Sequence, residues 1–234
     1  MSTHIGAEEG AIASTVLLPG DPLRAEYVAR TFLEDVTRYS TVRNMFGFTG
    51  YTPARRRVSV QGSGMGMPSL NIYVNELVDD YGVNRIIRIG SCGALQADMK
   101  TRDIVLAAGA CSNAGTNNRR FRGMQFAPLA DWPLLYAAHE AAKKLAIPVR
   151  VGNLLSTDLF YNDVDPDEWK LWAKYGVLAV DMEGSELYTL AARKKFQALA
   201  MLTVSDVLPT GEQLSADERQ STLADMTRLA LEIL

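Results

Sequence analysis

The chain has 234 residues, 47% of them hydrophobic, with 24 lysines and arginines against 27 acids and a formal net charge of −3. That is enough apolar material for one sizeable α/β domain, and the mild acidity excludes a surface built to hold nucleic acid or an anionic membrane. No apolar run approaches the roughly 18–20 residues of a membrane-spanning helix, and Met1 to Gly10, with Glu8 and Glu9, lacks the pattern of a secretory signal.

In chain order, Ser14 to Leu18 reads as a strand and Pro22 to Phe32 as a helix capped by Asp21. Val58 to Gln61 is a strand, followed by a glycine-rich turn and a helix from about Pro68 to Asp80. Arg85 to Ile89 and Asp103 to Ala107 are strands, Pro133 to Leu145 a helix, and Val149 to Leu155 a strand. Val177 to Val180 leads as a strand into a helix from Gly184 to Lys195. Ala198 to Val204 leads into a helix from Ser215 onward, whose capping box pairs Ser215 with Glu218. Alternating strands and helices predict a single α/β domain with a mixed, mostly parallel central sheet covered by helices. Ligands of such sheets bind beyond the carboxyl ends of the strands.

Several of those strand ends carry charge. In Pro19-Gly20-Asp21-Pro22-Leu23-Arg24 the arginine opposes the dipole at the helix start, a cost of about 0.3–1 kcal/mol that a bound anion would offset. A solvated arginine tolerating the dipole is an equal reading of this segment. Gln61-Gly62-Ser63-Gly64-Met65-Gly66 is neither a Walker loop nor a dinucleotide fingerprint; a tight turn explains it as well as a ligand does. Arg88 interrupts the apolar run Ile86-Ile87-Arg88-Ile89 just before Gly90-Ser91. A buried guanidinium needs a fixed partner, either a structural carboxylate or a bound phosphate, and its place at a strand end favours the phosphate.

Val180-Asp181-Met182-Glu183 sets two acids two residues apart, on one face if the strand persists. They suit paired sugar hydroxyls, or else serve as charges at the start of the next helix. Asp206 emerges from the most apolar strand, where desolvation favours its protonated form and a role as proton donor. Phe160 and Tyr161 are candidates for stacking on a planar base, or core aromatics. His4 and His139 are the only histidines, and Cys92 and Cys111 the only cysteines, without the spacing of a metal site, a disulfide framework or a nucleophile motif. A reduced, cytoplasmic protein without metal or cofactor is expected, displacing with a bound anion rather than through a covalent intermediate.

Taken together, Pro19 to Arg24, Phe46-Gly47-Phe48-Thr49-Gly50, Gly64-Met65-Gly66, Arg88 to Gly93, Asp181-Met182-Glu183, Ser205-Asp206 and Glu218-Arg219-Gln220 resemble the hexameric bacterial type of purine nucleoside phosphorylase. The resemblance, within the wider nucleoside phosphorylase/nucleosidase family, runs from His4 almost to the C-terminus. It implies that Gly20, Arg24, Arg88, Ile89, Gly90 and Ser91 bind phosphate, joined by Arg43 of a neighbouring subunit. It implies a ribose held by Met182 and Glu183 beside Asp181, with the neighbour's His4 near its 5′-hydroxyl. Phe160, Val180 and Ser205 would surround the base, and Asp206, assisted by Arg219, would protonate purine N7. Inorganic phosphate would be a substrate, and a dimer the smallest complete unit of a trimer of dimers.

Three positions depart from the pattern: Val207 where a histidine is usual, Asp181 where a glutamate is usual, and Gly184 in place of a larger residue. A nucleosidase of the same fold is the nearest alternative, but such enzymes lack the phosphate arginines. A uridine phosphorylase would keep them without an aspartate at 206, and a noncatalytic nucleoside-binding protein is the alternative of a different class.

Overall fold

The structure, a computed structural model, describes residues 2–215, 218 and 223–234. Strand and helix follow one another in the order β1 (Thr15–Leu18), α1 (Pro22–Phe32), β2 (Glu34–Ser40), β3 (Gly47–Tyr51), β4 (Arg57–Gln61), α2 (Met67–Asp79), β5 (Arg85–Ala94) and β6 (Ile104–Ser112). Then come α3 (Gly115–Arg120), α4 (Trp132–Lys144), β7 (Val149–Ser156), α5 (Trp169–Lys174), β8 (Ala179–Asp181), α6 (Gly184–Lys194), β9 (Gln197–Val207), β10 (Glu212–Gln213) and α7 (Ala224–Glu232). The capping bonds of Ser215 and Glu218 form, at 2.8–3.3 Å. Of the helix expected from Ser215 onward, α7 is described, while residues 216, 217 and 219–222, Arg219 among them, lie outside the described residues.

One sheet holds all ten strands, in the order β10-β9-β6-β7-β8-β5-β1-β4-β3-β2, with β9 also paired to β5. Strands β5, β9, β6, β7 and β8 thereby close a ring. The longest ladders, β5 with β9 and β6 with β7, are parallel. Antiparallel pairs carry the β2–β3–β4 edge and join β6 to β9 and β5 to β8.

Alternation along the strands divides the core between two faces. On one face Ile86, Ala198, Ala200 and Leu202 pack with Leu70, Val74 and Leu77 of α2 and Leu187 and Tyr188 of α6. On the other, Ile87, Ile89, Leu199 and Met201 pack with Val28 of α1, Leu134 and Ala138 of α4, and Leu229 of α7. Fully burying a leucine side chain is worth about 1.5–3 kcal/mol, so these paired layers fix which face each strand residue takes. Arg88 shares the parity of Ile86 and so points toward the α6 side.

Candidate active site

Parallel pairing of β1, β5 and β9 brings their carboxyl ends together. Leu18 lies beside Arg88, Ser91 beside Thr203, and Gly93 beside both Asp206 and Val180. These ends open into a cleft of about 1090 Å³. Of the residues expected at a site, Gly20, Arg24, Arg88, Gly90, Ser91, Phe160, Val180, Asp181, Met182, Glu183, Ser205 and Asp206 all line it.

Arg88 organises the floor. Its residue is 4% exposed. Nε donates to Asp181 Oδ2 at 3.3 Å, Nη2 donates to Glu183 Oε2, and Nη1 is buried with no partner among the described residues. Burial works against the guanidinium charge, but the two carboxylates outweigh it and hold its pKa above the ordinary value. Gly90 must lack a side chain here, because a Cβ would come within 2.9 Å of Arg88 Nη2. The arginine thus forms the structural ion pair that its sequence position allowed, and Nη1 remains over.

The two acids are held differently. The Asp181 side chain is fully enclosed. Its carboxylate accepts from Ser156 Oγ at 2.6 Å and from the Gly184 N–H at 2.9 Å. Burial pushes it up to about 6; Arg88 pulls it down, and Glu183 pushes it up again. This carboxylate lines the cleft from behind Arg88, with no exposure of its side chain. Glu183, at the start of α6, accepts the Gly66 N–H at 2.6 Å as well as Arg88 Nη2. The glycine-rich turn thus spends its amide on a carboxylate of the protein, with Gly66 in the left-handed region at φ +84° as the turn requires. Gly184 leaves its amide to Asp181 and has Leu154 against it, where a Cβ would come within 2.7 Å.

Around this floor, Arg24 is 14% exposed along its side chain, with Nε 4.0 Å from Asp21 Oδ2. Asp21 caps α1 through the Leu23 N–H. Ser205 Oγ donates to Asp206 Oδ2 at 2.7 Å and lies 3.3 Å from the Cys92 carbonyl, placing a half-buried carboxylate on the wall. Burial pushes the Cys92 thiol well above its ordinary range, so it stays protonated and is no nucleophile. At the mouth, Met65, Phe160 and Tyr161 are exposed, the two rings edge to face with centroids 5.0 Å apart.

Three expected residues lie elsewhere. The Ile89 side chain turns to the opposite face and packs among Leu17, Ile87 and their neighbours, as strand alternation demands. His4 and Arg43 do not line this cleft. The His4 ring lies 2.5 Å from Glu76 Oε1 and edge-on to Tyr73. Burial pushes the hydroxyl of the buried Tyr73 up while the nearby Arg43 charge pulls the other way, so both His4 and Arg43 lie near Tyr73. Arg43 has φ +56° and is exposed; a non-glycine residue held there costs on the order of 1–3 kcal/mol, and such positions cluster at functional sites. Sequence reasoning missed Ser156, Glu76 and Gly66 as supports. Ser156 had a signal, a lone hydroxyl ending an apolar strand, whereas nothing distinguished Gly66 from Gly64.

Among the described residues there is no cluster of three or more His, Cys, Asp or Glu side chains arranged for a metal, and no helix long and apolar enough to cross a membrane.

Residues 14–234 match the model of the phosphorylase superfamily. The chain belongs to the phosphorylase superfamily. Among its superfamily relatives is a protein of Clostridium novyi (strain NT) named purine nucleoside phosphorylase DeoD-type. It is 57% identical over 233 residues, covering 100% of this chain and 99% of the relative. Proteins of the same name from Thermoanaerobacter sp. (strain X514) and Caldanaerobacter subterraneus subsp. tengcongensis are 59% and 58% identical. Each alignment covers 100% of this chain, with 99% and 100% of the respective relative.

Proposed function

We propose that this chain catalyses the reversible phosphorolysis of purine nucleosides and 2′-deoxynucleosides, giving the free purine and ribose 1-phosphate or its deoxy counterpart. The observation that carries this reading is Arg88: a buried guanidinium with one nitrogen that has no partner among the described residues, in a single cleft with Arg24, Glu183 and Asp206. Phosphate is bound by Arg24, Arg88, Ser91 and the backbone at Gly20 and Gly90. Glu183 and Met182 hold the ribose, and Phe160, Val180 and Ser205 surround the base. Asp206 gives its proton to N7 of the leaving purine, with Arg219 assisting. As the glycosidic bond stretches, positive charge builds on the sugar, and the bound phosphate both stabilises that charge and captures C1′. Proton donation of this kind is typically worth about 10²–10⁴-fold.

His4 and Arg43 serve the neighbour's site rather than their own, which their position outside the cleft supports. The smallest complete unit is then a dimer, and the assembly a hexamer, a trimer of dimers. The setting is cytoplasmic purine salvage, without cofactor, metal, nucleic acid or membrane. Arg24 and Arg88 together favour this reading over a nucleosidase, and Asp206 favours it over a uridine phosphorylase.

The test is release of hypoxanthine from inosine with and without phosphate. Release that requires phosphate and yields ribose 1-phosphate is expected; equal release in phosphate-free buffer would replace this reading with a hydrolase.

A further inference from the structure

We propose that binding of the anionic substrate is coupled to uptake of one proton by Asp181, a positioning residue enclosed behind Arg88. The proposal rests on the reading of Arg88 as the phosphate arginine and adds a proton to the binding step.

Arg88 is shared by two carboxylates, so with both acids ionised this buried group carries a net charge of −1 before any ligand arrives. The remaining donor, Nη1, is where an anion is drawn in. A phosphate dianion there meets like charge behind the guanidinium, in a setting where water screens little. Neutralising one carboxylate removes the conflict without moving the arginine. Asp181 is the one placed to take the proton: its side chain has no exposure, whereas Glu183 is 5% exposed, and each accepts a backbone N–H, but Asp181 alone also faces a hydroxyl, Ser156 Oγ, that can accept an O–H. Burial already drives Asp181 up to about 6, and a nearby anion acts in the same direction. The neutral acid keeps its place, because its O–H can donate to Ser156 Oγ, a hydroxyl that accepts as well as donates.

The ionisable groups facing Asp181 are Arg88 and Cys92 from β5, Glu183 beside it and Tyr188 from α6, while Asp206 from β9 acts on Cys92. Burial pushes both the Cys92 thiol and the Tyr188 hydroxyl far up, so neither exchanges a proton between pH 5 and 8.

Inorganic sulfate is the probe, because it stays a dianion across this range whereas phosphate exchanges protons of its own. Calorimetric titration of the intact protein, in buffers of different ionisation enthalpy, counts the protons taken up. Uptake approaching one per site is expected near pH 7.5, shrinking below pH 6. The association constant should fall by up to tenfold per pH unit as pH rises through the window. Asp181→Asn should abolish both the uptake and the pH dependence. Ser156→Ala removes a donor to the ionised form and should move the window to higher pH, a second readout if the Asn variant does not fold. Sulfate binding without proton uptake in the parent protein, or with undiminished uptake in Asp181→Asn, overturns the proposal while leaving the anion site intact. Sulfate that fails to bind, or binds Arg88→Met as tightly as the parent, removes the site reading and this proposal with it.

Discussion

Replacing Arg88 by methionine removes the only cation that touches Asp181 and Glu183 among the described residues, leaving two enclosed carboxylates facing each other. Breaking a buried ion pair by deleting one partner costs about 3–5 kcal/mol, because the surviving charge is neither solvated nor paired. For a chain of 234 residues that corresponds to a fall on the order of 10 °C in the unfolding midpoint. The loss must also depend on pH. Asp181 already lies up at about 6 against an ordinary 3.8, and without the guanidinium that pulls it down it rises further. The folded variant then binds a proton that the unfolded chain does not. Its stability rises as pH falls through that window, by up to about 1.4 kcal/mol per pH unit for one proton. Urea unfolding of parent and variant, at one protein concentration because assembly contributes to stability, should show a deficit of 3 kcal/mol or more at pH 8 that shrinks clearly at pH 5.5. The same deficit at both pH values, or one under about 1 kcal/mol, would refute the picture of two carboxylates sharing one arginine.

Asp206→Asn should cut turnover of inosine by about 10²–10⁴-fold while leaving sulfate affinity within about twofold; an unchanged rate on inosine removes Asp206 from the chemistry. Tyr188→Phe strips the hydroxyl that donates to the Ala107 carbonyl and accepts the Ala200 N–H, at 2.6 and 2.9 Å. It should cost about 1–3 kcal/mol by chemical denaturation, and a variant as stable as the parent would show those two buried groups re-paired. Arg43→Ala and Asp206→Asn chains should each be nearly inactive alone. After dissociation and co-assembly they should regain activity, since some sites then draw both intact residues from different chains; no recovery would place Arg43 in its own subunit's chemistry or in none.

Much of this architecture is legible in the sequence because burial patterns are strong. The bounds of α1 match the expectation, since Asp21 and Pro22 start it and its apolar face repeats through Val28 and Ala29. Strands β2 and β3 give no such signal. β2 lies at the sheet edge, mostly exposed, with Asp35 at φ +52°, and β3 carries Gly47 and Gly50, whose missing side chains let Tyr39 and the Glu34 backbone approach. The strand expected to end at Ile89 runs on to Ala94, because β8 and β9 flank β5 that far and keep it extended. Helices α3 and α5 are each six residues, too short for periodicity. Long-range bonds hold α3, notably Arg120 to the buried Glu186 at 2.7 Å.

The site divides in the same way. A lone arginine in an apolar strand announces that something must balance it, and the strand's place in the sheet says where. Which acid does the balancing is a matter of three-dimensional geometry. Two-residue spacing put Asp181 and Glu183 on one face if the strand persisted, and otherwise at the start of the next helix; β8 ends at Asp181 and the chain turns into α6, with Asp181 enclosed. His4 and Arg43 are 39 positions apart in sequence, and only folding brings both near Tyr73.

Phosphate labelled with ¹⁸O at all four oxygens offers the most direct test of the claim that a bound phosphate oxygen attacks C1′. Incubated with inosine in ordinary water, the enzyme should give ribose 1-phosphate retaining all four labels, the bridging oxygen included, in step with hypoxanthine release. Free ribose carrying oxygen from water at C1, formed at the same rate whether or not phosphate is present, would contradict the account.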